Sequence, residues 1–173
     1  EQRFRSFLDR PVAVAAHQQH LLLGIGSSVI HSGPGTPYNF SASGGAGEIG
    51  TGDTVTGFSI LPGVATTAAI AIFSRNHTKI LYGTALSGPS PFTLVNFETE
   101  TGAVPYTIQT LDRPYYLDDR GVVDLKAVQE YGNFSAAAQT RLVQPFIEQE
   151  RGRAISSTIQ RTKGQYRLFF NDG

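Results

Sequence analysis

Across residues 54–84 the chain carries three runs of β-branched, aliphatic and aromatic residues, and the middle run, Ala69-Ile-Ala-Ile-Phe73, is apolar throughout. Turn chemistry separates the runs: Pro62-Gly63 at the first break, Arg75-Asn76-His77 at the second. The outer runs alternate. Val55, Gly57, Ser59 and Leu61 are expected on one strand face, with Thr56, Phe58 and Ile60 on the other. Lys79, Leu81 and Gly83 should likewise oppose Thr78, Ile80 and Tyr82. A middle strand with no polar face has to be covered on both sides. The antiparallel meander built on it therefore needs similar sheets stacked beside it.

The remaining composition fits that demand. With 19 glycines, nine prolines and only 16% charged residues in 173, a turn-rich β protein is favoured over a helix bundle or a disordered chain. Zero formal net charge offers no electrostatic grip on nucleic acid or an anionic membrane. No apolar run approaches the ~20 residues of a membrane-spanning helix, and no secretory signal pattern opens the chain. Cysteine is absent, which excludes disulfides and thiolate chemistry. The chain also lacks methionine and closes on Asp172-Gly173, a hairpin-turn pair following an expected strand at 165–170. It is expected to be an internal piece of a longer protein.

Taken in order, Phe4, Phe7 and Leu8 lead into a small apolar strand at 12–16, the turn His17-Gln-Gln-His20, and a returning strand at 21–25. The H-x-x-H spacing resembles a metal motif, but no Cys, Asp or Glu stands near to complete it. Two solvated histidines flanking a hairpin are expected instead. A further strand is expected at 27–32. Gly45, Gly47 and Gly50 satisfy G-x-G-x-x-G, yet a dinucleotide site requires a helix to follow, and the β-branched residues from Thr51 to Ile60 supply none. A glycine-rich loop crossing between sheets is expected at 41–53.

Beyond residue 84 the pattern repeats: a loop at 87–91, a closing strand at 92–97, then strands at 106–111, 115–117 and 122–125, and a last pair at 155–159 and 166–170. Hairpins centred near residues 19, 76, 119 and 163 recur at the ~40–55-residue spacing of propeller blades. The expected fold is mainly β, antiparallel sheets forming blades of a partial β-propeller over 1–173, with Ile70, Ile72, Phe73, Ile108 and Leu168 buried. One helical insertion between blades is expected at 133–150, capped by Asn133 or Ser135 and ended or kinked at Pro145.

Candidate chemistry is sparse. Asp112, Asp118, Asp119 and Asp124 are the acidic cluster, with Arg113 and Arg120 as adjacent counterions. Two carboxylates facing one cleft could hydrolyse a glycoside. Asp118-Asp-Arg-Gly121, however, is a turn sequence in which Asp bonds its own backbone. No serine stands in G-x-S-x-G. Asn76-His-Thr78 and Asn133-Phe-Ser135 match a glycosylation sequon, a triplet common by chance. No catalytic, cofactor or metal residue is assigned. Tyr115, Tyr116, Asp118, Asp119 and Arg120 are the candidate partner-contact turn.

Six blocks occur in order: Ala46-Gly-Glu-Ile-Gly-Thr-Gly-Asp53, Phe73-Ser-Arg-Asn-His-Thr-Lys-Ile-Leu-Tyr-Gly83, Tyr116-Leu-Asp-Asp-Arg-Gly121, Tyr131-Gly-Asn-Phe-Ser135, Gln144-Pro-Phe146 and Gln165-Tyr-Arg-Leu-Phe-Phe170. Together they resemble bacteriophage tail nozzle proteins, similar to tail tubular protein B of short-tailed phages. The resemblance spans most of 46–173. It implies a propeller region within a hexameric nozzle beneath the portal and adaptor, located in the virion tail and assembled in the bacterial cytoplasm. The implied partners are other copies of the chain, the tail adaptor and other tail proteins, with DNA only in transit and no membrane segment or cofactor. The implied role is structural, not enzymatic. The alternative is a carbohydrate-binding or carbohydrate-active propeller using Tyr115, Tyr116 and the aspartates; the absence of tryptophan weighs against it.

Overall fold

The computed structural model describes residues 10–61, 69–83, 92–98, 101–119, 121–128, 133–138 and 141–171. The expected break at Pro62-Gly63, the loop at 87–91, Phe4, Phe7, Leu8, Tyr131 and the closing Asp172-Gly173 lie outside them. Sheet I is an antiparallel meander of β1 (Ala13–His17), β2 (His20–Ile25), β3 (Ser28–His31) and β4 (Gly47–Gly50). Sheet II repeats the order with β5 (Val55–Ile60), β6 (Ala69–Ser74), β7 (Thr78–Tyr82) and β8 (Thr93–Glu98). Sheet III contains β9 (Gln109–Thr110), β10 (Pro114–Asp118), β11 (Gly121–Val128) and β12 (Asn133–Ala138). A hairpin of β13 (Ala154–Gln160) and β14 (Gln165–Phe170) completes the set.

The apolar middle run behaves as its composition demands. Every residue of β6 is buried. Ile70 and Ile72 enter a core with Leu22, Val29, Val55, Leu81 and Phe92, which joins sheets I and II. Ala69, Ala71 and Phe73 enter a second core with Ile80, Tyr116, Val123 and Leu125, which joins sheets II and III. A third core of Leu117, Val122 and Ile147, with Tyr166, Leu168 and Phe170 packed on it, joins sheet III to the hairpin. Each large apolar side chain so buried contributes roughly 1.5–3 kcal/mol. Ile70, Ile72 and Phe73 are wholly buried as expected; Ile108 and Leu168 are partly buried against the same cores.

The first strand of each sheet touches the first strand of the next: β1 meets β5, β5 meets β9, and β9 meets β13. The Ser59 and Thr110 hydroxyls, 2.7 Å apart, tie β5 to β9. Gln109 Nε2 donates to the Ser157 carbonyl at 3.0 Å, tying β9 to β13. Close approach is possible where side chains are missing. A methyl on Gly24 would meet Val55 Cγ1 at 2.7 Å, and one on Gly57 would collide with Ile108 Cδ1. Among the described residues the stack does not close on itself.

Three expectations are corrected. Residues 133–138 are not helical: Asn133–Ala138 pairs along β11 from Val128 to Val123. Alanine is the strongest helix former, but propensity is only a weak determinant, and a full antiparallel ladder overrides it. The later part of the expected 133–150 insertion is helical: α1 (Gln144–Glu150) carries Pro145 in its first turn, where the missing amide hydrogen costs nothing, so Pro145 opens the helix rather than ending or kinking it. Strict alternation also fails at Val55. It pairs with Ser74 while Gly57 pairs with Phe73, and this bulge turns Val55 into the core that holds Phe58. Lastly, residues 47–50 of the glycine-rich stretch are a strand rather than a crossing loop, and β5 rather than a helix follows, so the phosphate-binding context is absent.

Candidate functional site

The turn at residues 118–121 joins β10 to β11, with Asp118 and Gly121 paired. Asp118 is buried, and its Oδ1 accepts the Asp119 amide at 2.6 Å, the self-bonding role expected of Asp in a turn. Asp119 is exposed and forms an ion pair with Arg151 Nη1 at 2.5 Å. Arg151 stands 32 residues away in the 3-10 turn after α1, and the same nitrogen also reaches the Asp119 carbonyl. Sequence adjacency points to Arg113 and Arg120 as counterions. Arg120 lies outside the described residues.

Strand alternation divides the two tyrosines. Tyr116 is wholly buried, its ring 4.6 Å from that of Phe73 in the core between sheets II and III. Tyr115 faces the hairpin, its ring 6.1 Å from Tyr166. The Tyr115 hydroxyl donates to Asp112 Oδ1 and accepts from Arg113 Nε, each at 3.1 Å. Arg113 Nε also lies 3.0 Å from Asp124 Oδ2 and 3.4 Å from Asp112 Oδ2. Tyr115, Tyr116, Asp118 and Asp119 therefore do not share one surface. Asp119, held by Arg151, is the exposed acid of the turn.

The same geometry bears on glycoside chemistry. A general acid needs a carboxyl held above its ordinary range. Asp112 is displaced the other way: burial pushes it up, but nearby backbone amides, the Tyr115 hydroxyl and the Arg113 charge together hold it below. Asp112 and Asp124 share one guanidinium, and Asp118 is committed to its turn. At the hairpin, burial raises Tyr166 to about 12, against the opposing hydrogen bonds of its hydroxyl. That hydroxyl donates to the Thr107 carbonyl at 2.6 Å, fastening β14 to sheet III.

The histidines flanking the first hairpin are a correction. They are not solvated: His17 and His20 are 5% and 2% exposed, and His31 joins them at 5%. Gln18 and Gln19 both take left-handed backbone, φ 46° and 64°, giving a two-residue turn that sets His17 opposite His20. Alternation then puts His17 on the face of Ala15 and His20 on the face of Leu22, both toward sheet II. That register was the available signal. Among the described residues no group of three His, Cys, Asp or Glu is arranged to hold a metal ion.

Asp53 is a further residue that sequence reasoning passed over. It accepts from the Thr54 amide and the Asn76 amide, each at 2.7 Å, and pins the β4–β5 connection to the β6–β7 turn. Burial pushes its carboxyl up, but these bonds and the Asn76 side chain outweigh it and hold the group low. No helix among the described residues is long and apolar enough to cross a membrane. Comparison with known proteins finds neither a family model nor a curated relative that matches the chain.

Proposed function

We propose that this chain is the propeller portion of a bacteriophage tail nozzle, a structural subunit that acts by shape and by contacts with neighbouring copies. The observation that carries the reading is the line of first strands, with β1 on β5, β5 on β9 and β9 on β13. Propeller blades are meanders whose first strands gather round a common axis, and sheets I to III have that strand order. The ordered sequence blocks add the nozzle to the propeller. In this reading copies assemble as a hexameric ring in the virion tail, against the adaptor and other tail proteins. DNA passes through without being gripped, which suits a net charge of zero.

A carbohydrate-binding role gains no support from the geometry. It would require Tyr115 and Tyr116 on one open face, and Tyr116 lies in the core. The nozzle proposal is tested by placing an epitope in the exposed turn at Arg161–Lys163 and purifying virions of the phage that encodes the protein. The tag is expected to band with the particles and to be labelled at the tail tip. Tagged protein that is made and folded during infection, yet absent from infectious particles, would contradict the proposal.

A further inference from the structure

We propose that the three buried histidines at the hairpin end of sheet I form an acid-sensitive latch, whose protonation releases sheet I from sheet II while sheets II and III stay joined. The inference stands independently of the nozzle reading. His17, His20 and His31 surround the ring of Phe92, which leads into β8 of sheet II, at centroid distances of 6.4, 4.9 and 5.1 Å. His20 and His31 also meet edge-on at 5.1 Å. The contact between the sheets at this end is thus an aromatic cluster in which three of four rings can acquire charge.

Hydrogen bonding fixes where a proton would go. The Ser32 carbonyl accepts from Nδ1 of His20 at 2.5 Å and from Nδ1 of His31 at 3.1 Å, so in the neutral rings Nδ1 carries the hydrogen and Nε2 is the basic atom. Nε2 of His20 and Nε2 of His17 are buried with no hydrogen-bond partner. A second proton on His20 creates an N–H with no acceptor. Charges on His17 and His20 together lie side by side across one register pair.

Among the described residues no anion on the packed elements offsets such charge. On β4, Glu48 pairs with Ile30 and so faces away from His31. Phe92 meets the cluster from the sheet II side and shares an apolar core with Ile70 and Leu81, and Tyr82 packs toward sheet III. Asp53, His77 and Lys79 belong to the opposite end, by the β6–β7 turn and Gly52, and Arg10 precedes β1 at its far end. Residues 62–68 and 84–91 contain no ionisable side chain. Burial lowers His17 and His31 below 6.5; the neighbouring His20 lowers both further, and the Ser32 carbonyl partly restores His31. With the folded values depressed, their stability is complete above 6.5 and is lost as pH falls below it, because the open form takes up the protons.

Hydrogen exchange, corrected for intrinsic rates, tests this between about pH 7.5 and about pH 5. Opening of residues 13–31 is expected to grow by ~10-fold per pH unit for each proton taken up, with residues 114–125 left protected. Replacing His17→Gln with His20→Asn, whose amide can still donate to Ser32, should flatten that dependence; His77→Asn should not. If the double variant does not fold, histidine ring NMR on the native chain decides. Proton uptake at His17 and His31 is expected only together with the opening of sheet I. Sheet I that stays protected at about pH 5, opens only together with sheet III, or keeps its protection while His17 and His31 take up protons would overturn the latch.

Discussion

Sheet II and the closing hairpin use the same residue types to different effect. In sheet II, β6 is buried along its whole length, with neighbours on both faces. In the hairpin, Tyr166, Leu168 and Phe170 pack on sheet III, while Ile155 and Phe169 on the other side are 55% and 46% exposed. Sheet I, at the far end of the stack, likewise leaves Val12 and Val14 49% and 62% exposed. An all-apolar strand thus marks a place between sheets, and an alternating one with apolar residues on both faces marks the end of a stack. Under the proposed assembly, further blades or neighbouring copies would cover those end faces.

The largest expected break in this comparison is Phe73→Ala. It removes the ring against Tyr116 between sheets II and III and should cost about 3–5 kcal/mol in urea unfolding. Phe169→Ala on the hairpin should cost far less, and equal losses would erase the distinction. Arg113→Met comes next. It leaves the wholly buried Asp124 without this cation, and because Arg113 is itself open to solvent the loss should fall below that of Phe73→Ala yet exceed that of Phe169→Ala in the same unfolding measurement. Gly57→Ala should cost about 1 kcal/mol, since its methyl displaces only the mobile end of Ile108. Phe169→Ser should cost the monomer only about 1 kcal/mol, since about half of the ring is already exposed. If the end face is covered in an assembly, the same variant should still abolish that assembly in a sedimentation measurement.

Much of this architecture was legible in the sequence because it follows from composition and turn chemistry. The two-sided burial of 69–73 and the hairpins near 19, 76, 119 and 163 all follow from those signals. What misled was phase. The hairpin at 76 joins the second and third strands of its sheet, whereas that at 19 joins the first and second, so evenly spaced turns are not equivalent turns. The repeat that exists is of four-stranded meanders beginning at Ala13, Val55 and Gln109. The ladder of Asn133–Ala138 was invisible because its cause is the partner strand β11, not local preference. At the candidate turn, the role of Asp118 was legible from the turn sequence 118–121 itself, whereas the Arg151 partner of Asp119 depends on α1 bringing a distant residue back. The buried histidines needed the hairpin register, which exchanges the solvent face for the core face with a shift of a single residue.

The central claim is that the first strands of successive sheets lie side by side, and the chain allows a clean test because it has no cysteine. Ser59 and Thr110 face one another across β5 and β9 with their oxygens 2.7 Å apart. With Ser59→Cys and Thr110→Cys combined, mild oxidation of the folded protein is expected to form one intramolecular disulfide, detected as a mass loss of ~2 Da by analogy with any thiol pair within bonding reach. Two free thiols persisting in a protein that remains folded by circular dichroism would contradict the side-by-side strands, and with them the propeller reading.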